Sequence, residues 1–488
     1  MKKFVLLLPI LIFLCFPISS HATAQDYLDE AEARKDEPVE SNETPDWPQG
    51  PAIGAESAIL MDADSGMILY SKNIHEHLYP ASTTKLMTCL VAIENCPLNE
   101  LITVNQSAID ANESDGSHMY LTAGEKLTLE ELLYGIIINS ANEACNAVGE
   151  HIAGSMDAYV EMMNSRAAEL GCTDTHFVTT NGLHDEDHYT SAHDLALIGR
   201  AFFSHDILAS MACTTRHSIP ESDLHGEHNL KSKNKLYPGQ EYEYDGLIGS
   251  KTGFTSMSRQ TLVSCAQRGS IRLICVIMME ESPYQFTDTT QLFDYGFDHF
   301  YITGTDEINS RFDLSNPVFF DSSSDILGNT APLIYVQKGV QILMPDTISE
   351  EDIKTNVRYD SLNPGAIARV EYSYENIVMG SADILMNSIP DTTTLNITHR
   401  SESGKNPNDN KIYVNIYHVL FILGISVISV IILLLVLRIA RLSMIRARKI
   451  RRIKQKREEI LKSRSTLRRN YHPDKHRPTK KNHPRDSI

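Results

Sequence analysis

A serine followed three residues later by a lysine can carry nucleophilic chemistry, and Ser82 and Lys85 stand in that relation at the head of an apolar-periodic stretch running to Asn95. On a helix, residues three apart project from the same face, so the lysine amine reaches the serine hydroxyl. That hydroxyl is a weak nucleophile until a base removes its proton, and a lysine kept neutral by desolvation or by a nearby cation is such a base. A helix N-terminus beneath Ser82 also favours the negative charge of a tetrahedral intermediate. The pair alone proves little, because Ser232-Lys233-Asn234-Lys235 satisfies both Ser-x-x-Lys and Ser-x-Asn in what reads as an ordinary polar loop. Two further short motifs decide the matter: Ser140-Ala141-Asn142, then Lys251-Thr252-Gly253. Three motifs in this order and spacing are far more specific than any one of them.

The elements that must hold these residues follow from periodicity and turn signals. Ser57 to Met61 and Met67 to Ser71 flank Asp62-Ala63-Asp64-Ser65-Gly66 and predict a hairpin. Lys85 to Asn95, Leu129 to Ile152, Met156 to Leu170 and Ser191 to Phe203 predict helices. Gln260 to Ala266 and Ile271 to Met278 are strand-like runs around Arg268-Gly269-Ser270, and Tyr284 to Phe300 is helical again. Hairpins around a helical block indicate an α+β domain, placed at 53–302. Over 303–400 the pattern changes to short runs such as Leu333 to Gln337, Val340 to Met344, Ala368 to Tyr374 and Ile377 to Met379, which predict a small β-rich domain.

The two ends of the chain differ in charge. The net charge is −19, yet the stretch 438–488 holds 19 Lys and Arg against 4 Asp and Glu. Met1-Lys2-Lys3, the apolar run Phe4 to Phe16 and Ala22-Thr23-Ala24 predict a secretory signal over 1–24, cut after Ala24. The acidic segment 25–52 has no apolar periodicity and is expected to be a flexible linker, with folded structure from Ile53. A polar linker at 401–412 leads to a predicted membrane helix at 413–437, since Asn415 to Leu437 contains no Asp, Glu, Lys or Arg and is long enough to span. The arginine-rich stretch that follows directly predicts a cytoplasmic tail at 438–488 and an extracytoplasmic body. Topology accounts for those basic residues, and no nucleic-acid partner is invoked.

The three motifs resemble those of penicillin-binding proteins and active-site serine β-lactamases. Four stretches narrow the resemblance to the low-molecular-weight D-alanyl-D-alanine carboxypeptidases, serine peptidase family S11. They are Pro80 to Thr88; Asn181-Gly182-Leu183 with His188-Tyr189-Thr190; Asn234-Lys235-Leu236; and Asp245-Gly246 leading to Lys251-Thr252-Gly253-Phe254-Thr255. The resemblance covers roughly Ala55 to Phe300 and implies a penicillin-binding/β-lactamase-like transpeptidase fold. It implies that Ser82 is acylated, that Lys85 is its base and that Ser140 relays a proton to the leaving D-alanine. Asn142 then binds the substrate backbone, Lys251 supplies positive potential, and Thr252, with Gly253 beside it, helps hold the terminal carboxylate. The backbone N–H groups of Ser82 and Phe254 form an oxyanion hole. The implied substrate is the peptidoglycan stem pentapeptide, with β-lactams as covalent inhibitors and no cofactor. Two features depart from the family: Ala141 replaces a common glycine, and Leu247 to Ser250 lengthens the approach to Lys-Thr-Gly.

Competing readings attach to particular residues. A serine β-lactamase shares the nucleophile but needs an acidic residue that holds a deacylating water, and the loop carrying one is not recognisable here. A catalytically silent sensor or scaffold would not need Ser82, Lys85, Ser140 and Lys251 together. His184, Asp185, Asp187, His188 and His193 match no sharp zinc spacing, and no metal is expected. His225 and His228 read as polar loop residues. Seven cysteines follow the signal, an odd number with no evident disulfide framework.

Overall fold

All six residues of the strand Ser57–Asp62 are buried, which requires a sheet covered on both faces. The computed structural model describes residues 24–112, 116–221, 224–309, 334–360 and 363–386. The membrane span, linker and basic tail expected after residue 400 lie outside them, as does the signal up to residue 23. Among the described residues no single helix is long and apolar enough to cross a membrane.

In chain order the strands are β1 (Ser57–Asp62), β2 (Ile68–Lys72), β3 (Leu101–Thr103), β4 (Lys126–Thr128), β5 (Arg216–Ile219), β6 (His228–Lys231), β7 (Leu247–Thr255), β8 (Arg259–Arg268) and β9 (Ile271–Glu280). After them come β10 (Phe300–Gly304), β11 (Ile334–Val336), β12 (Gln341–Pro345), β13 (Lys354–Arg358), β14 (Ala366–Tyr374) and β15 (Ile377–Met386). The longer helices are α1 (Ala24–Arg34), α2 (Lys85–Asn95), α3 (Leu129–Ile138), α4 (Asn142–Ala153), α5 (Met156–Glu169), α6 (Ala192–Phe203), α7 (Asp206–Cys213) and α8 (Tyr284–His299).

Five strands form an antiparallel sheet in the order β2-β1-β9-β8-β7. Side chains alternate across it, as the two-residue period of a strand demands. Ile59, Met61, Ile274, Val276 and Met278 join the core with the helical block α2 to α7, whereas Ala58, Leu60, Leu273, Cys275 and Ile277 pack with Phe286, Leu292 and Phe293 of α8. Both faces being covered, these strands read as continuous apolar runs rather than as alternating ones. The later strands form a second antiparallel sheet, β11-β15-β14-β13, and a pair β10-β12. Ile342, Met344, Val370, Tyr372 and Met379 there belong to the same apolar cluster as α8.

Two expectations fail. The segment 25–52 is folded: α1 is followed by a turn that puts Trp47 in the core, its indole N–H donating to Leu69 O at 2.9 Å. Arg34 donates to Gly54 O at 2.7 Å and Met279 O at 3.0 Å. A few long-range anchors hold this acidic stretch, and periodicity does not register them. The second failure is the helix expected over Leu129 to Ile152, which is two helices broken at Ser140, whose φ is +59°. That break matters for the chemistry.

Candidate active site

The nucleophile end is built by a tight helical turn, Ala81–Thr84, that runs directly into α2. Ser82 is half-buried in it, while Lys85, one turn on, is only 1% exposed. Its amine donates to Ser82 Oγ at 2.9 Å, to Asn142 Oδ1 at 2.8 Å and to Asn181 O at 2.5 Å. Burial pushes the Lys85 amine below the usual lysine range, because the interior disfavours the charged form.

Ser140 and Asn142 reach the same place through the break between α3 and α4. The left-handed residue at 140 is uncommon for a side chain with a Cβ and marks a locally imposed conformation. It ends α3 and lets α4 start at Asn142, whose N–H donates to Ser117 O at 2.9 Å. Lys251 comes from β7, the edge strand of the sheet. Its amine donates to Ser140 Oγ at 3.0 Å and to Thr252 O at 2.9 Å. Burial, and then the charge of Lys85, push Lys251 down to about 7.

Gly253 explains how a strand edge comes against the nucleophile. A Cβ there would lie 2.2 Å from Thr261 Oγ1 and 3.0 Å from both Pro80 O and Ser82 N. On the other side Gly182, at φ +83°, would put a Cβ 1.9 Å from Ala81 O. The turn carrying Ser82 is therefore clamped between two backbones. Ser82, Ser140, Asn142, Lys251, Thr252, Gly253 and Phe254 all line one cleft of about 460 Å³. Lys85 lies beneath Ser82 rather than on the cleft wall, and Phe254 stands 56% exposed at the cleft.

With this geometry in view, the comparisons with known proteins are direct. A family model described as D-alanyl-D-alanine carboxypeptidase matches residues 43–282. The chain is 32% identical over 256 residues to the D-alanyl-D-alanine carboxypeptidase DacB2 of Mycobacterium tuberculosis, covering 51% of this chain and 84% of that one. The chain belongs to the D-alanyl-D-alanine carboxypeptidase family. A second relative, DacF of Bacillus subtilis, is 32% identical over 249 residues, with 50% of this chain and 63% of the relative covered. Among solved structures, penicillin binding protein 6B from Escherichia coli superposes with a TM-score of 0.53 at 27% identity, over 70% of this chain and 98% of that one. The α+β transpeptidase fold is thus shared. The family match begins at residue 43, inside the segment expected to be a linker.

Several residues outside the three short motifs complete this carboxypeptidase-family site. Ser232 to Lys235, a polar loop by its Ser-x-x-Lys pattern alone but sharing Asn234-Lys235 with the family resemblance, line the cleft, as does Ser117, which no motif signals. The Asn181 carbonyl that holds Lys85 belongs to a loop braced by His188, whose Nδ1 accepts from Val178 N at 2.9 Å and Thr179 N at 3.2 Å. With Nδ1 accepting, Nε2 carries the proton and donates to Thr84 Oγ1 at 2.9 Å. Burial pushes His188 down to about 3, so it is a neutral brace with both nitrogens committed. The lengthened approach Leu247 to Ser250 resolves as a bulge: Leu247 pairs with Ala266 and Gly249 with Cys265, leaving Ile248 as the extra residue. His228 is no loop residue but lies buried in β6. All seven described cysteines are free thiols.

Proposed function

We propose that the chain is a serine-type D-alanyl-D-alanine carboxypeptidase that removes the terminal D-alanine from peptidoglycan stem pentapeptides through an acyl-enzyme on Ser82, and that penicillin acylates the same hydroxyl. One observation carries the reading: a buried lysine amine 2.9 Å from the Ser82 hydroxyl, with a second buried lysine 3.0 Å from Ser140 in the same cleft.

In this mechanism neutral Lys85 takes the Ser82 proton as Oγ attacks the carbonyl carbon of the penultimate D-alanine. Negative charge gathers on the carbonyl oxygen, and the N–H groups of Ser82 and Phe254 stabilise it. Ser140, held by Lys251, gives its hydroxyl proton to the nitrogen of the leaving D-alanine as the C–N bond breaks and is reprotonated by the Lys85 ammonium, which becomes neutral again. Water then enters and the same groups reverse their roles. Asn142, which accepts from Lys85, fixes the base and offers its amide to the substrate backbone; Thr252 and Lys251 receive the free carboxylate. A β-lactam follows the same first step, but its leaving group stays tethered and obstructs deacylation.

A β-lactamase reading calls for an acidic residue on the cleft to hold the deacylating water. Among the described residues, none that lines the cleft is Asp or Glu. The intact set of Ser82, Lys85, Ser140 and Lys251 likewise disfavours a silent scaffold. As for placement, we infer a signal at 1–24, a catalytic domain ending near 302, a β-rich accessory domain over 303–400, a single span at 413–437 and a cytoplasmic tail at 438–488. The uncharged run and the arginine cluster after it support that order. The test is mass spectrometry of the protein with penicillin, alongside product analysis on a D-Ala-D-Ala pentapeptide. One penicilloyl adduct on Ser82 and release of one D-alanine are expected, and both vanish in Ser82→Ala. Stoichiometric acylation elsewhere overturns the mechanism.

A further inference from the structure

We propose that Glu125, His225 and His228 form a binding site for one Zn²⁺ ion that ties the β5–β6 hairpin to the wall of the catalytic cleft. Each of the three offers a ligand atom, and these atoms lie within 4.8 Å of one another. Two nitrogens and a carboxylate oxygen are donors that suit zinc, and three protein ligands leave a fourth position for water.

His228 and Glu125 are paired in the structure, and the bonding around them also orients both as metal ligands. His228 and Glu125 are buried, 4% and 2% exposed. His228 Nδ1 lies 3.0 Å from Met119 O, and a carbonyl can only accept, so Nδ1 carries a proton. The lone pair of the neutral ring is then on Nε2, which lies 2.8 Å from Glu125 Oε1. This is the arrangement of a metal-ligating histidine, with its second nitrogen donating to a backbone carbonyl that fixes tautomer and ring orientation. Glu125 is oriented as well, because its other oxygen accepts from Thr122 N at 2.9 Å. At this separation a proton lies between Nε2 and Oε1, and a metal ion would take its place. The His225 ring stacks on His228 with centroids 3.9 Å apart, and its Nδ1 donates to Gly226 O at 2.6 Å, which leaves Nε2 to face the ion. Ligand bonds of about 2.1 Å in a tetrahedron set ligand atoms roughly 3.4 Å apart. Binding thus requires the His228–Glu125 pair to open by about half an ångström and the half-exposed His225 ring to turn.

The site sits behind the cleft. Met119 is two residues from Ser117, which lines the cleft and accepts from Asn142 N at 2.9 Å. Met119 N in turn donates to Glu143 Oε1 at 2.8 Å. On the other branch, β6 leads directly into Ser232 to Lys235, which also line the cleft. An ion shared by Glu125 and the two histidines therefore braces both stretches at once.

The experiment strips the purified full chain with EDTA and titrates it with ZnCl₂ against a chromophoric chelator, with thermal unfolding followed in parallel. One tight equivalent of Zn²⁺ is expected, together with a higher midpoint of unfolding when it is bound. Losing even an outer-shell partner weakens metal sites by about 10- to 100-fold, so His225→Ala, which removes a half-exposed side chain, should weaken this equivalent at least about 100-fold and abolish the thermal shift. Glu125→Gln keeps an acceptor for Thr122 N while removing the charge, and should do the same. A parent chain that takes up no Zn²⁺ overturns the proposal. So does an equivalent that survives both substitutions with unchanged affinity, since the ion would then rest on other groups such as the exposed Cys213 thiol.

Discussion

Replacing Gly253 by alanine tests whether the approach of β7 to Ser82 sets the reaction rate. The added methyl would sit 3.0 Å from Pro80 O and from Ser82 N, against an ordinary contact distance of at least 3.4 Å. Those two backbone atoms cannot rotate away, so the strand must retreat by about 0.4 Å on their account alone. Thr261 Oγ1, at 2.2 Å, asks for roughly an ångström more unless its hydroxyl turns and abandons its hydrogen bond to Pro80 O. Overpacking of this kind costs about 1–3 kcal/mol, which leaves a folded protein. A misplacement of about 1 Å at a reacting centre costs on the order of 10²-fold in rate, so Gly253→Ala should slow acylation by about 10- to 100-fold. The assay is the second-order rate constant for acylation by a fluorescent penicillin in stopped flow. Adding Thr261→Ala removes the side-chain clash alone, so the double variant should regain stability but not rate. Acylation by Gly253→Ala within about threefold of the parent would refute the argument that backbone proximity at this point matters.

Lys85→Arg keeps a positive charge but supplies no neutral amine, since a guanidinium stays protonated; acylation should fall at least about 10²-fold, and a near-normal rate would reassign the base. Glu280 is buried beside Asp288, and burial holds its carboxyl protonated well above the usual carboxylate range. A carboxyl raised in the folded state lends stability below its unfolded value of 4.5 and loses that contribution as the pH rises. Glu280→Gln should therefore gain stability relative to the parent in denaturant unfolding at about pH 8 compared with about pH 5; an unchanged difference between the two would show the group ionised throughout. For topology, protease added to sealed, wall-stripped cells should digest the catalytic domain and spare an epitope at Ile488, and loss of that epitope with the membrane intact would reverse the orientation.

Local rules were enough for the parts of this protein that depend on neighbours in sequence. The pairing of Ser82 with Lys85 follows from one turn of helix, and α2 runs from Lys85 to Asn95 as its periodicity requires. The β1–β2 hairpin and the β8 and β9 strands were legible for the same reason: turn residues punctuate apolar runs. Only tertiary structure decided where those runs lead. Leu129 to Ile152 has the pattern of one helix, and the left-handed Ser140 that splits it is sustained by long-range contacts, from Asn142 to Ser117 and from Lys251 to Ser140. The segment 25–52 is too polar to announce a fold, yet Arg34 and Trp47 anchor it through hydrogen bonds to Met279 and Leu69. Ser232 to Lys235 and His228 sit in stretches that composition marks as polar loop. Their placement on the cleft wall and against Glu125 depends on hairpin pairing and on partners about a hundred residues away. Motifs report which atoms can react, because that chemistry is a property of residue types; which atoms meet is settled by packing between elements distant in the chain, and no local pattern encodes it.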